Sequence, residues 1–224
     1  PLPCGEVTLK ITRVSIGHCF MINRRSMAVW IVLTSLGCSI SLAGKYNQKL
    51  DIGDAAPKWE KLAGVDGEAY SFDDFSSAKI LVVVFTSNTC PYAHDYEKRL
   101  KQFQSAHGTS GEVKLVVLNP NAVRDDSLNA MKEYGKKQAF NFTYLKDEDG
   151  QVAASYGALR TPECFVVDAN RKIIYMGAFD DNSNADRVKV SYVDEVIAAA
   201  LNGEAPEVRE TPPVGCLIRQ RRRR

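Results

Sequence analysis

Cys90 stands between two stretches that differ sharply in character. Before it, Lys79-Ile80-Leu81-Val82-Val83-Val84-Phe85 is a short apolar, β-branched run that predicts a strand buried on both faces. After it, Pro91 suits the first position of a helix, and Tyr92 to His107 contains neither Gly nor Pro. Cys90 is then the capping residue, with orphan N–H groups and the positive end of the helix dipole directed at its sulfur. That setting favours thiolate, the nucleophilic form, over thiol. A cysteine that merely fills core is the competing reading, but strand, turn, proline and helix together favour a reactive one.

The residues around it narrow the chemistry. Ser87 opens Ser87-Asn88-Thr89-Cys90. A hydroxyl is far less acidic than a thiol, so Ser87 cannot supply an attacking sulfur, and disulfide exchange within this motif is excluded. His94 falls on the same helical face as Cys90 and reads either as a thiolate partner or as a solvated side chain. Two soft or borderline ligands do not complete a metal site, so no metal and no cofactor are expected. Cys164 lies two residues beyond Pro162 and faces either the core or Cys90. Cys216, in Pro213-Val214-Gly215-Cys216, is either an ordinary terminal thiol or a resolving thiol. In the second case its tail folds back to Cys90 or reaches a second subunit. Asp180-Asp181-Asn182 reads as a solvated turn, and Asp125-Asp126 as the acidic entrance of the second helix.

The elements that must position these groups are legible in outline. Residues 80–86 predict the first central strand and 91–107 the first long helix. Val113-Lys114-Leu115-Val116-Val117-Leu118 predicts a second buried strand, stopped by Asn119-Pro120-Asn121. Ser127 to Gln138 reads as a helix capped by Ser127, and Phe142 to Leu145 as a short strand. A turn at 147–150 leads into a short helix through Tyr156. Phe165-Val166-Val167 and Lys172-Ile173-Ile174-Tyr175 form a hairpin, and Val190 to Leu201 a closing amphipathic helix ended by Asn202-Gly203. Strands alternating with helices imply an α/β layer fold with a largely parallel centre.

Charge and cysteine usage bound the setting. Of the net charge of +2, residues 1–43 carry +3 and residues 219–224 carry +5, which leaves the body at −6. An acidic body argues against a nucleic-acid surface. Arg24 and Arg25, the uncharged run Met27 to Ile40 and the small residues of Ser41-Leu42-Ala43 read as a secretory signal with its cleavage site. That run is too short for a membrane span, which needs about 20 residues. A signal would begin more naturally at Met21 or Met27, so residues 1–20 read as an overextended start. The expected location is exported, periplasmic or extracellular, with lipid anchoring through Cys38 ranked second. Residues 1–43 are thus the start plus signal, 44–203 the single domain, and 204–224 a flexible Pro- and Arg-rich tail. Cleavage leaves Cys90, Cys164 and Cys216, at most one internal bridge and one free thiol. That suits a redox-active protein in an oxidising compartment.

From about Leu50 to Leu201 the chain resembles the alkyl hydroperoxide reductase/thiol-specific antioxidant superfamily, and most closely its exported, peroxiredoxin-like redoxins. The resemblance rests on Ile52-Gly53-Asp54…Pro57, Ser71-Phe72-Asp73-Asp74-Phe75, Thr86-Ser87-Asn88-Thr89-Cys90-Pro91, Asn119-Pro120-Asn121 and Thr161-Pro162-Glu163-Cys164-Phe165-Val166-Val167-Asp168, in that order. It implies a thioredoxin-like α/β fold, a central mixed sheet flanked by helices. It also implies a cis proline at Thr161-Pro162 that faces the redox cysteine and binds substrate backbone. Cys90 occupies the peroxidatic position, and Ser87 the place of a hydroxyl that orients peroxide. Two departures stand out. Val83 replaces the expected Pro, and the activating Arg has only Arg160 as a candidate, two residues out of register. The resemblance implies a thiol-dependent antioxidant enzyme that reduces hydroperoxides through Cys90, with Ser87 and Arg160 assisting. Cys216, Cys164 or an external thiol would reduce the oxidised sulfur. The alternative is a non-enzymatic module that captures partner thiols through Cys90 and the Pro162 groove. Partners are hydroperoxides or protein and small-molecule thiols, with a homodimer as a further expectation.

Overall fold

The computed structural model describes residues 44–220. The expected signal, its cleavage site, Cys4, Cys19 and Cys38 lie outside the described residues. Within them the strands are β1 (Leu62–Gly64), β2 (Ala69–Tyr70), β3 (Ile80–Phe85), β4 (Val113–Asn119), β5 (Thr143–Lys146), β6 (Arg160–Thr161), β7 (Glu163–Val167), β8 (Ile173–Gly177) and β9 (Cys216–Leu217). The α-helices are α1 (Pro91–His107), α2 (Leu128–Lys137), α3 (Gln151–Tyr156) and α4 (Tyr192–Leu201). Seven strands form one sheet in the order β2-β1-β5-β4-β3-β7-β8. The β5-β4-β3 centre is parallel, and the flanking pairs are antiparallel.

Every residue of β3 is buried, as its unbroken apolar run requires. Alternation along the strand divides it between two cores. Leu81, Val83 and Phe85 face Trp59, Phe72, Phe75 and Tyr156, while Ile80, Val82 and Val84 face Tyr96, Leu100 and Phe103 of α1 and Val196 of α4. Each such side chain contributes roughly 1.5–3 kcal/mol, so a one-residue slip of β3 would be prohibitive. Sheet and helices form a single domain.

The tail differs from the sequence expectation. Residues 204–224 were expected to be flexible; through Arg219 they are hydrogen-bonded to the domain. Met176 N–H donates to Arg209 O and Thr211 N–H to Met176 O, each at 3.0 Å. Gly177, with φ of +136°, admits this approach, because a Cβ there would overlap Thr211. The Glu210 carboxylate accepts the N–H groups of Lys45, Tyr46 and Asn47. Then β9 pairs antiparallel with β6, setting Cys216 opposite Thr161 and Leu217 opposite Arg160. These contacts use backbone groups that carry no periodic signal, so composition alone misread the segment. Among the described residues no helix is long and apolar enough to cross a membrane.

Candidate functional site

The turn from β3 into α1 is built around a buried carboxylate. Thr86 N–H continues the β3–β4 ladder to Leu118 O. The chain then wraps Asp126, which is fully buried and ends the short 3-10 helix Arg124–Asp126. One Asp126 oxygen accepts Asn88 N–H at 2.7 Å and Asn119 Nδ2 at 2.8 Å. The other accepts Ser87 Oγ and Thr89 Oγ1 at 2.9 Å and Asn121 Nδ2 at 3.1 Å. Tyr144 OH donates to Asn88 Oδ1 at 2.8 Å. Each of these polar groups has a partner, as buried polar groups must.

At the end of that turn Cys90 is the N-cap of α1, and its sulfur accepts Ala93 N–H at 3.4 Å. Its S–H donates to Thr161 O at 3.0 Å. The Thr161-Pro162 peptide bond is cis. Cys216 lies opposite Thr161 in the β6–β9 pair, beside the Cys90 thiol. Burial first, and then the Cys90 thiol, push the Cys216 thiol above its usual range, with Tyr92 N–H and Arg219 acting in the opposite direction. Cys90, Cys164 and Cys216 are all free thiols.

Several expected roles are redistributed. The Ser87 hydroxyl does not wait for a peroxide: it donates to Asp126 and accepts from Asn121 Nδ2 at 2.8 Å and Thr89 N–H at 3.1 Å, which fills its capacity. Arg160 holds the tail, with Nη1 donating to Gly215 O at 2.6 Å. Cys164 is fully buried among Val82, Val84 and Tyr175, and burial is the main reason its thiol is pushed well above the usual range. A resolving thiol has to ionise, so Cys164 is core. His94 Nε2–H donates to Asn88 O at 2.7 Å, and its ring stacks on Tyr134. Asp180 is not solvated either. It is buried and ion-paired with Arg99, which lies over the Tyr96 ring.

Asp126 and Asn121 are the functional residues that sequence reasoning missed. Asp126 was assigned to a helix entrance and Asn121 to a strand stop. The available signal was the density of short donors in Thr86-Ser87-Asn88-Thr89, which need an acceptor once the turn is buried.

Glu163 shapes the neighbouring loop. Its Oε2 accepts the N–H groups of Leu159 at 2.8 Å and Arg160 at 3.0 Å. Burial, the largest cause, pushes its carboxyl above the usual range against those bonds and the Arg160 charge. With the folded value above the unfolded one, this group's contribution is most favourable below the ordinary carboxylate range. It is lost as pH rises through the raised value. Glu163→Gln keeps the acceptor, so the urea midpoint should lose part of its decline across that window. An unchanged pH–stability profile would refute this.

The comparisons agree with the geometry. Peroxiredoxin Bcp of Escherichia coli (strain K12) is 26% identical over 160 residues, covering 65% of this chain and 97% of that protein. An uncharacterized conserved protein from Geobacillus kaustophilus superposes with a TM-score of 0.73 at 27% identity, over 80% of this chain and 96% of that one. Peroxidoxin BcpB from Mycobacterium tuberculosis, at 18% identity and a TM-score of 0.53 over 69% of this chain and 97% of that one, shares the fold. That fold is thioredoxin-like, and the Redoxin family model matches residues 51–197. The chain belongs to the Redoxin family and is a thiol-dependent oxidoreductase.

Proposed function

We propose that the chain is a peroxiredoxin-like hydroperoxide reductase in which Cys90 is oxidised and Cys216 resolves it. The observation that carries this reading is the β6–β9 pairing, which sets Cys216 opposite Thr161, the residue whose carbonyl accepts the Cys90 S–H. The relative named Peroxiredoxin Bcp supports it.

The first step is attack by the Cys90 thiolate on one peroxide oxygen. The S–O bond forms, the O–O bond breaks, and the departing alkoxide or hydroxide takes up a proton, leaving Cys90 as sulfenic acid. Ala93 supplies an N–H group at the helix start where negative charge develops. Thr161, whose carbonyl meets the Cys90 thiol, also carries a buried hydroxyl without a partner among the described residues. In the second step the Cys216 thiolate attacks the sulfenic sulfur. The S–S bond forms, and hydroxide leaves as water after gaining a proton. An external dithiol then reduces the disulfide by exchange.

The neighbouring Cys90 sulfur is one cause of the raised Cys216 value.

Stoichiometric hydrogen peroxide should therefore yield a Cys90–Cys216 cross-linked peptide, formed faster as pH rises through the Cys216 range. In Cys216→Ser that peptide should vanish, and Cys90 sulfenic acid should accumulate as a dimedone adduct. Peptide mass spectrometry checks both outcomes. Resolution undiminished in Cys216→Ser would refute the assignment.

A further inference from the structure

Cys90 is 2% exposed, at the end of a turn whose residues Thr86, Ser87 and Asn88 are buried as well. The segment of the tail from Val214 to Arg219 runs across this end of the fold. Its anchors are separate and mostly backbone. Residues 216–217 pair with β6, Arg160 Nη1 donates to Gly215 O, and Ile218 N–H donates to Leu159 O at 2.9 Å. Arg219 N–H donates to Asn121 Oδ1 at 2.7 Å, and Ala122 N–H to Arg219 O at 2.8 Å. Apolar burial adds little: Val214 is 52% exposed and Leu217 64%, and Ile218 alone of these packs against the core. A segment held by hydrogen bonds rather than by core belongs to the low end of local stability, so it opens without unfolding the domain.

Gly215 is the residue that permits the closure. Its φ is +149°, and a Cβ there would overlap the Thr161 carbonyl and stand 3.2 Å from Pro162 N. No other residue type can bring this backbone so close to the loop that holds the sulfur.

We propose that residues 214–219 are a size-selective strap over Cys90, with Gly215 and Arg160 as the specificity-determining residues that hold it shut. A small hydroperoxide needs only a fluctuation of the strap. A bulky organic hydroperoxide or a protein disulfide needs its full release. The Thr161 backbone already carries a strand, so a partner's extended segment finds that edge filled until the strap leaves. This inference rests on Cys90 being the reacting sulfur but does not depend on which oxidant it reduces.

The test uses the reduced full-length chain, Gly215→Ala and Arg160→Ala. Each is alkylated with iodoacetamide and, separately, with a polyethylene-glycol maleimide. Peptide mass spectrometry reads labelling at Cys90 alone, and urea unfolding confirms that each variant is folded. The parent chain should disfavour the bulky reagent strongly. Either variant should raise the bulky-to-small rate ratio about tenfold, the factor that one hydrogen bond at the strong end of its range confers. The kcat/KM ratio for cumene hydroperoxide over hydrogen peroxide should rise in the same direction. An unchanged labelling ratio in both variants, or a parent chain that does not discriminate, overturns the strap. If labelling behaves as expected and no hydroperoxide is consumed, the strap stands and the peroxidase reading falls. If hydroperoxides are consumed at one size ratio by all three proteins, the reverse holds.

Discussion

Cys90→Ser should lower hydroperoxide reduction by a factor on the order of 10³ or more while leaving the fold in place, because the nucleophile is lost and its structural duty is not. Cys90 caps α1 by accepting Ala93 N–H, and serine is a favoured N-cap residue that accepts the same bond. The sulfur's chemistry has no such substitute, since a hydroxyl is not ionised near neutrality. Peroxide consumption with dithiothreitol as reductant measures the loss, and a near-parental urea midpoint would show that it is chemical. Turnover within tenfold of the parent would remove Cys90 from the reaction.

The largest structural effect should come from Asp126→Ala. Five donors converge on this buried carboxylate: Ser87 Oγ, Asn88 N–H, Thr89 Oγ1, Asn119 Nδ2 and Asn121 Nδ2. An alanine removes the shared acceptor from a largely buried turn, although Asn121 and Asn119 keep Ser87 Oγ and Tyr144 OH as second acceptors. An unsatisfied buried donor costs about 1–3 kcal/mol, and partial rearrangement keeps the total below the sum, so about 3–5 kcal/mol is expected. Because the same donors fix the turn that ends at Cys90, alkylation of Cys90 should also accelerate. Urea unfolding gives the first quantity; a loss below about 1 kcal/mol would mean that the network is not cooperative.

The scaffold was legible because hydrophobic pattern dictates it. The helix expected over 91–107 is observed with those bounds, and the strand over 80–86 ends one residue earlier, at Phe85. Ser127 caps α2 as read, accepting Ala130 N–H. Of the candidate site, the Cys90 cap of α1 was read from local chain chemistry, and the cis Thr161-Pro162 bond was implied by the family resemblance; both are observed. What lay hidden depends on contacts between residues far apart in sequence. Ser87 and Asp126 are 39 positions apart, so whether Ser87 faces a peroxide or a carboxylate cannot be read from either neighbourhood. Arg160 was chosen for its charge, yet its guanidinium meets a backbone carbonyl from the tail, a partner without side-chain identity. The tail itself, rich in proline, offered no period for a pattern to reveal.

Glu210 has a consequence for the order of events during synthesis. Its carboxylate fastens the amides of Lys45, Tyr46 and Asn47, residues 163 to 165 positions earlier in the chain. A nascent polypeptide presents those amides well before their acceptor has been made, so this edge of the domain stays unfastened until the chain has grown through Glu210.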